Sequence, residues 1–74
     1  MHYPSDRELA YRRAILLGKR VRLDHTSDPY TNLRAGDLGT VQRIDDMGTV
    51  HVKWDSGSSL GLISESGDRW TVVG

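Results

Sequence analysis

The chain has 74 residues, no cysteine, and ten Lys or Arg against ten Asp or Glu, so its formal net charge is zero. This length fits one small domain, no apolar run reaches the roughly 18–20 residues of a membrane-spanning helix, and neutrality does not favour a polyanion-binding protein. Without cysteine the chain has neither a disulfide framework nor a thiolate metal site, and we therefore expect a cytoplasmic location.

The first predicted element is an α-helix within residues 1–17. Ser5 is placed to cap its start, and Glu8, three residues later, completes a capping box. Good helix formers continue up to Gly18, which favours the end of the helix.

The apolar residues of this helix fall on two sides. Tyr11 and Ile15 are four residues apart and form one side, which we interpret as a candidate surface for self-association. The other side is broader, is interrupted by Arg13, and is expected to cover an open end of the β-domain. Its members are Leu9, Ala10, Ala14, Leu16 and Leu17.

After Gly18 the pattern changes to the two-residue alternation of β-strands. Within the second strand, Gly39 indicates a bulge or a close approach of two backbones, and Asp45–Gly48 is typical of a hairpin turn. The predicted strands are Lys19–Leu23, Asp37–Ile44, Thr49–Trp54, Ser58–Leu62 and Arg69–Val73.

The order of the connections indicates the fold class. Five short strands without a crossover helix exclude a parallel sheet and favour an all-β domain. A long first connection, two tight hairpins and a helical-turn link at residues 63–68 are the loop lengths of a small SH3-like barrel, whose closure would remove exposed edges. We therefore predict a helix at 1–17 and a five-stranded SH3-like β-barrel at 18–74, with a core of Val21, Leu23, Leu38, Val41, Ile44, Val50, Val52, Trp54, Leu60, Leu62, Trp70 and Val72.

Five motifs occur in order along the β-domain: GKRVRL at 18–23, DPYT at 28–31, GDLGTV at 36–41, DDMGTVHVKWDSGSSL at 45–60 and DRW at 68–70. Together they resemble a family of small bacterial and phage proteins known only as a domain of unknown function. The resemblance covers about residues 18–73 and leaves the helix outside. It implies a small SH3-like barrel, often encoded by actinobacteria, their phages or mobile elements, and it implies no reaction.

The candidate ligand face combines the longest loop with a hairpin. A Gly-Thr-Val strand followed by Val-x-Trp-Asp-x-Gly is also similar to Mind-bomb-type and other SH3-like modules that bind peptides. Tyr30 follows Pro29 in the long loop, and aromatic rings at the mouth of a small barrel suit peptide or proline-rich ligands. The candidate binding residues are Tyr30, Trp54, Asp55 and Gly57. Alternation places Trp54 and Trp70 with the inward valines and favours a core role for both, and the alternative is that one ring lines a groove with Tyr30.

A second interpretation rests on an uneven distribution of charge. Residues 1–23 carry six Lys or Arg against two acids, whereas residues 24–74 carry four against eight. A local basic face could bind nucleic acid despite overall neutrality, and exposed aromatic rings for base stacking could come from Tyr3, Tyr11 or Tyr30. The candidate residues are Arg12, Arg13, Lys19, Arg20 and Arg22.

Signals for catalysis and metal binding are weak. The serines lie in Gly-rich turns without a Gly-x-Ser-x-Gly elbow, and His25 and His51 without a spaced partner do not define a zinc site. Asp45, Asp46 and Asp55 lie in turns, where Asp commonly accepts backbone hydrogen bonds, and no calcium-binding loop is present. We expect a non-enzymatic binding module for a protein or peptide, without cofactor or metal, with nucleic acid as the alternative ligand.

Overall fold

The predicted helix cap is present in the computed structural model, which describes residues 4–74. Helix α1 spans Asp6–Leu16, and the Ser5 hydroxyl accepts a hydrogen bond of 3.2 Å from the Glu8 N–H. Only Leu9 and Leu16 of the broad apolar side are buried; Ala10, Ala14 and Leu17 are exposed. Leu9 and Leu16 are seven residues apart, so two turns of the helix pack against the sheet domain through one narrow stripe.

Five antiparallel strands follow the helix. They are β1 (Arg20–His25), β2 (Leu38–Ile44), β3 (Val50–Trp54), β4 (Gly61–Leu62) and β5 (Arg69–Val72), with a 3-10 helix at Ser64–Ser66. Their order in the sheet is β4-β3-β2-β1-β5. A mostly β domain with one five-stranded antiparallel sheet and one helix is thereby confirmed.

The prediction of a closed barrel is wrong for this hydrogen-bonded sheet. Among the strands of residues 4–74, β4 and β5 are the two edges and do not pair with each other. The physical reason lies in β4, which has only two residues instead of the predicted five and offers too few backbone groups to close the sheet. The chain leaves β4 for the 3-10 helix and returns as β5 on the far side of β1.

Alternation along the strands places most of the predicted core correctly. Leu60 and Trp70 are partly buried, whereas Leu38 and Val72 are 40% and 45% exposed, so their assignment to the core is wrong. Leu38 pairs with Arg22 on the outer face, because its neighbour Gly39 occupies the inner position. Val72 lies on the edge strand β5, whose side away from β1 has no strand neighbour among residues 4–74. The buried apolar residues are Leu9, Leu16, Val21, Leu23, Leu33, Val41, Ile44, Val50, Val52, Trp54 and Leu62.

Gly39 allows β2 and β3 to approach closely, as the sequence predicts. A Cβ atom at this position would lie 2.5 Å from Val52 Cγ1 and 2.9 Å from the Lys53 carbonyl oxygen. The irregularity in pairing lies elsewhere, between Val41 and Arg43. Gly39 is therefore required by contact between two strands, and not by a bulge.

One carboxylate, that of Asp68, is buried among three segments of the chain. Its Oδ1 accepts hydrogen bonds from the Ser27 N–H at 2.7 Å and from the Ser27 hydroxyl at 3.1 Å, and its Oδ2 accepts from the Ile63 N–H at 2.8 Å. Burial by itself raises the pKa of Asp68, but the hydrogen bonds from Ile63 and Ser27 outweigh it and hold that pKa below its usual value. Asp68 thus joins the end of β4 to the loop that follows β1.

We expect Asp68→Asn to lower the free energy of unfolding at pH 7 by about 1–3 kcal/mol, because the amide nitrogen faces a buried donor and leaves it unsatisfied. The wild-type contribution is present above the unfolded pKa of about 3.9 and is lost as pH falls through the lower folded pKa. Urea unfolding between pH 2 and 7 measures both effects. Asp46→Asn, at a side chain that is 99% exposed, is the control. If wild type and Asp68→Asn had the same free energy of unfolding at pH 7 and lost it equally toward low pH, this role of Asp68 would be contradicted.

Candidate functional site

The predicted Tyr30 loop and the β3–β4 hairpin form the two walls of one surface cleft. Its volume is about 530 Å³, within the size range of small-ligand sites. Tyr30 itself is 91% exposed. The lining residues are uncharged: Tyr30, Thr31 and Asn32 on the loop, and Ser56, Gly57, Ser58 and Ser59 on the hairpin. The structure therefore brings Tyr30 and Gly57 to the same site.

Local hydrogen bonds fix the loop that carries Tyr30. The Tyr30 N–H donates to Asp28 Oδ1 at 2.9 Å, and the Leu33 N–H donates to the Thr31 hydroxyl at 3.2 Å. Leu33, which the sequence does not single out, is only 6% exposed and anchors the loop in the core. Asx and Thr turns on both sides of Tyr30 hold its backbone in place while the ring extends into solvent.

An ion pair fixes the hairpin wall. Arg20 Nη1 donates to Asp55 Oδ1 at 2.8 Å, and Nη2 donates to the second carboxylate oxygen. The hydrogen bond with Arg20 holds the pKa of Asp55 below its usual value. The Asp55 carboxylate is thus turned toward β1, and its role is to position the hairpin beside the cleft. Gly57 forms the turn itself, with φ of +92°, and its N–H donates to the Trp54 carbonyl at 2.9 Å.

Trp54 does not line the cleft, and the interpretation of its ring as a binding surface is wrong. The residue is 1% exposed, because the alternation of β3 directs it inward with Val50 and Val52. Its indole N–H donates to the Leu60 carbonyl at 2.9 Å. Trp54 therefore supports the hairpin from inside the core.

The predicted basic residues are divided between two places. On α1, Arg12 donates to the Gly48 carbonyl at 3.2 Å, and Arg13 donates to the Ile44 carbonyl at 2.9 Å. These bonds hold the helix to the β2–β3 hairpin. The side chains also pair with acids, Arg12 with Glu8 and Glu65 and Arg13 with Asp46.

The remaining cations lie on or beside the outer face of the sheet. Arg22 Nε is 3.0 Å from Asp24 Oδ1, and Lys19, just before β1, is exposed. The register places Lys53 across Thr40 from Arg20, so Lys53 belongs to this face. Sequence reasoning did not select Lys53, although the alternation of β3 already directs it outward.

The candidate self-association residues are at the surface. Tyr11 is 64% exposed and Ile15 is 44% exposed. Tyr3, named above as a stacking candidate, lies outside the described residues. Exposure is compatible with self-association, which stays a prediction.

Asp45 and His51 have structural roles in hydrogen bonding. Asp45 Oδ1 accepts from the Met47 and Thr49 N–H groups at 3.0 Å each, and its Oδ2 lies 2.9 Å from His51 Nε2. The hydrogen bond with His51 is the main cause that lowers the pKa of Asp45. Within residues 4–74, no three His, Asp or Glu side chains group closely enough to hold a metal ion.

The fold and the cleft define a small antiparallel β-domain with a fixed aromatic loop beside a hairpin. A family model described as a domain of unknown function, DUF4314, matches residues 9–73, and the chain belongs to this family. The resemblance to such a family is confirmed, but its predicted extent is wrong, because the match begins at Leu9 and includes most of α1. Searches of curated proteins and of solved structures give no match. Within residues 4–74, no helix is long and apolar enough to cross a membrane.

We expect Asp55→Ala to speed amide hydrogen exchange at Trp54 and Gly57, whose N–H groups close the hairpin. Loss of the Arg20 ion pair removes the side-chain restraint on this turn, and local opening accelerates exchange without global unfolding. NMR-detected exchange provides the measurement. Asp46→Ala, in the other hairpin, is the matched control. Unchanged exchange at Gly57 in Asp55→Ala would show that the ion pair does not hold the hairpin.

Proposed function

We propose that this chain is a small SH3-like module that binds a protein or peptide and carries out no reaction. Support for the SH3-like assignment comes from the long first connection, the two hairpins, the 3-10 helix before β5 and the position of β5 beside β1. The family resemblance carried by the five motifs of the β-domain supports a bacterial or phage origin. The absence of cysteine supports a cytoplasmic location.

The observation that carries the proposal is the fixed backbone beneath an exposed Tyr30 ring. A side chain that is 91% exposed contributes little to folding, yet two local turns hold its backbone in one conformation. Tyrosine offers a flat apolar ring with a polar tip and loses little entropy on binding. A loop ordered in advance also lowers the entropic cost of association. This combination favours recognition.

The walls of the cleft indicate the class of ligand. Thr31, Asn32 and the hairpin serines offer hydroxyl and amide groups that both donate and accept, and among residues 4–74 no charged side chain lines the cleft. Such a surface suits the backbone of an extended peptide better than a phosphate or a carboxylate. We infer that the ligand is an uncharged segment with a proline or an apolar side chain that contacts the Tyr30 ring.

We expect selection from a displayed random-peptide library to yield peptides whose affinity falls at least about tenfold in Tyr30→Ala, the loss typical of truncating an interface anchor. Calorimetric titration of each selected peptide measures this change. Tyr11→Ala, an exposed tyrosine on α1, is the matched control and should bind like wild type. The absence of selectable peptides, or equal binding by Tyr30→Ala, would overturn the assignment of the cleft.

Nucleic acid is the alternative ligand, and the shared outer face of Arg20, Arg22 and Lys53 is the observation that favours it. Both arginines have carboxylate partners, Asp55 and Asp24, with which phosphate would have to compete. We therefore expect weak binding to this face. This alternative concerns a different surface from the Tyr30 cleft.

Titration of single-stranded RNA and duplex DNA at 50 and 200 mM salt tests the alternative, and we expect little affinity at either concentration. A protein that neutralises several phosphates loses affinity steeply with salt. A steep loss, with a further decrease in Arg20→Ala/Arg22→Ala but not in Tyr30→Ala, would replace the peptide-binding proposal with nucleic-acid binding.

A further inference from the structure

Strand β5 has a hydrogen-bonded strand neighbour on one side only, as far as residues 4–74 show. On the occupied side, the Val73 N–H donates to the Arg20 carbonyl at 2.9 Å. Because backbone groups alternate in direction along a strand, Thr71 faces β1 in the same way. The N–H and C=O groups of Trp70 and Val72 therefore point to the free side of the strand.

This edge lacks the usual protection of a sheet edge. Natural edges are commonly blocked by proline, by lysine or by a bulge that twists the strand away. Arg69 at the start of β5 carries the strand's one charge, residues 70–73 contain no proline and no charge, and Thr71, Val72 and Val73 are exposed. The opposite edge of the sheet, β4, is only two residues long. The free side of β5 is thus the longest pairing surface that the sheet offers.

We propose that a second copy of this chain occupies this edge, with the two β5 strands antiparallel about a two-fold axis through Thr71. In this register Trp70 of each copy lies opposite Val72 of the other, and Thr71 lies opposite its own symmetry mate. The four free-side N–H and C=O groups of each copy then pair fully, since antiparallel partners that face each other exchange both bonds. The interface is isologous, as expected for a dimer.

The side chains of β5 make it self-complementary. Trp70 and Val72 lie on the inner side of the sheet with Val21 and Leu23, so each aromatic ring meets a β-branched partner, a favourable cross-strand pair. Arg69 falls opposite Val73 of the other copy, and the two arginines do not face each other. An unrelated peptide would need the same apolar–polar–apolar pattern, which the chain itself already supplies.

The expected contact is small, and Arg69 is the one charged residue that each copy's residues 69–73 bring to it. It involves about five residues of each copy, less than the roughly 20–30 of a standard interface, and we therefore expect a reversible monomer–dimer equilibrium. No ion pair crosses the contact, so dimerisation should depend little on salt. Association through opposite charges of the two halves of the chain would instead weaken with salt, and association through Tyr11 and Ile15 would depend on α1.

The first experiment combines sedimentation velocity with amide exchange on the full chain. Over a concentration series at 50 and 500 mM salt, we expect the dimer fraction to rise with concentration and to change little with salt. Exchange at the Trp70 and Val72 amides should slow at high concentration, while exchange at Thr71, already bonded to β1, should not change. A monomer at the highest concentration, or concentration-independent exchange at Trp70 and Val72, would overturn the proposal.

Substitutions at position 72 then assign the surface. Val72→Pro removes a donor on the free side without removing a bond to β1, and Val72→Lys places a charge opposite Trp70; we expect both to abolish the dimer. Val72→Ile keeps the N–H and should preserve it, as should Tyr11→Glu on the helix. Circular dichroism reports whether each variant is folded. If Val72→Pro is unfolded, the dimer fraction of Val72→Lys decides the assignment. A dimer that survives in folded Val72→Lys, or is lost in Tyr11→Glu alone, would overturn the assignment to β5.

Discussion

The buried Asp68 carboxylate is the constraint on which the arrangement of this domain depends. It receives hydrogen bonds from Ser27, at the base of the long loop, and from Ile63, directly after β4. Asp68 also immediately precedes β5, so one side chain fixes the loop, the end of β4 and the start of the edge strand. Because a buried carboxylate is tolerated only when its oxygens are satisfied, these segments are ordered together.

The uneven charge of the sequence is largely used inside the molecule. Arg12 and Arg13 donate to the Gly48 and Ile44 carbonyls, and Arg13 also pairs with Asp46, so the helix is held against the β2–β3 hairpin. Arg20 binds Asp55 and thereby connects the basic first strand to the hairpin of the cleft. A neutral total with a basic beginning and an acidic remainder is thus consistent with complementarity between segments of one chain. It does not require a polyanionic partner.

Sequence patterns predicted the local structure well and the long-range contacts poorly. Capping chemistry located α1, and alternation located the strands and most of the core, because both depend on neighbours in sequence. The prediction of a closed barrel failed because closure depends on whether β4 and β5 meet, and the alternation of residues along a strand carries no information about that contact. Asp68 resembled an ordinary turn aspartate, although its place in the Asp68-Arg69-Trp70 motif was a usable signal. The sequence anticipated the cleft through Tyr30 and Gly57. The alternation of β3, which directs Trp54 inward, favoured a role for Trp54 in the core.

The open sheet connects the two surfaces proposed above. A closed barrel would have no free edge, but here β4 is too short to meet β5, and the open edge of β5 is a liability unless something pairs with it. Pairing two copies through β5 would leave only the two-residue β4 strands as edges of one continuous sheet. The cleft residues Tyr30 and Ser56–Ser59 lie outside β5, so each copy would keep its own cleft. Two weak peptide sites on one dimer would gain avidity toward a partner with repeated segments, which gives a small domain a physical reason to keep its edge open.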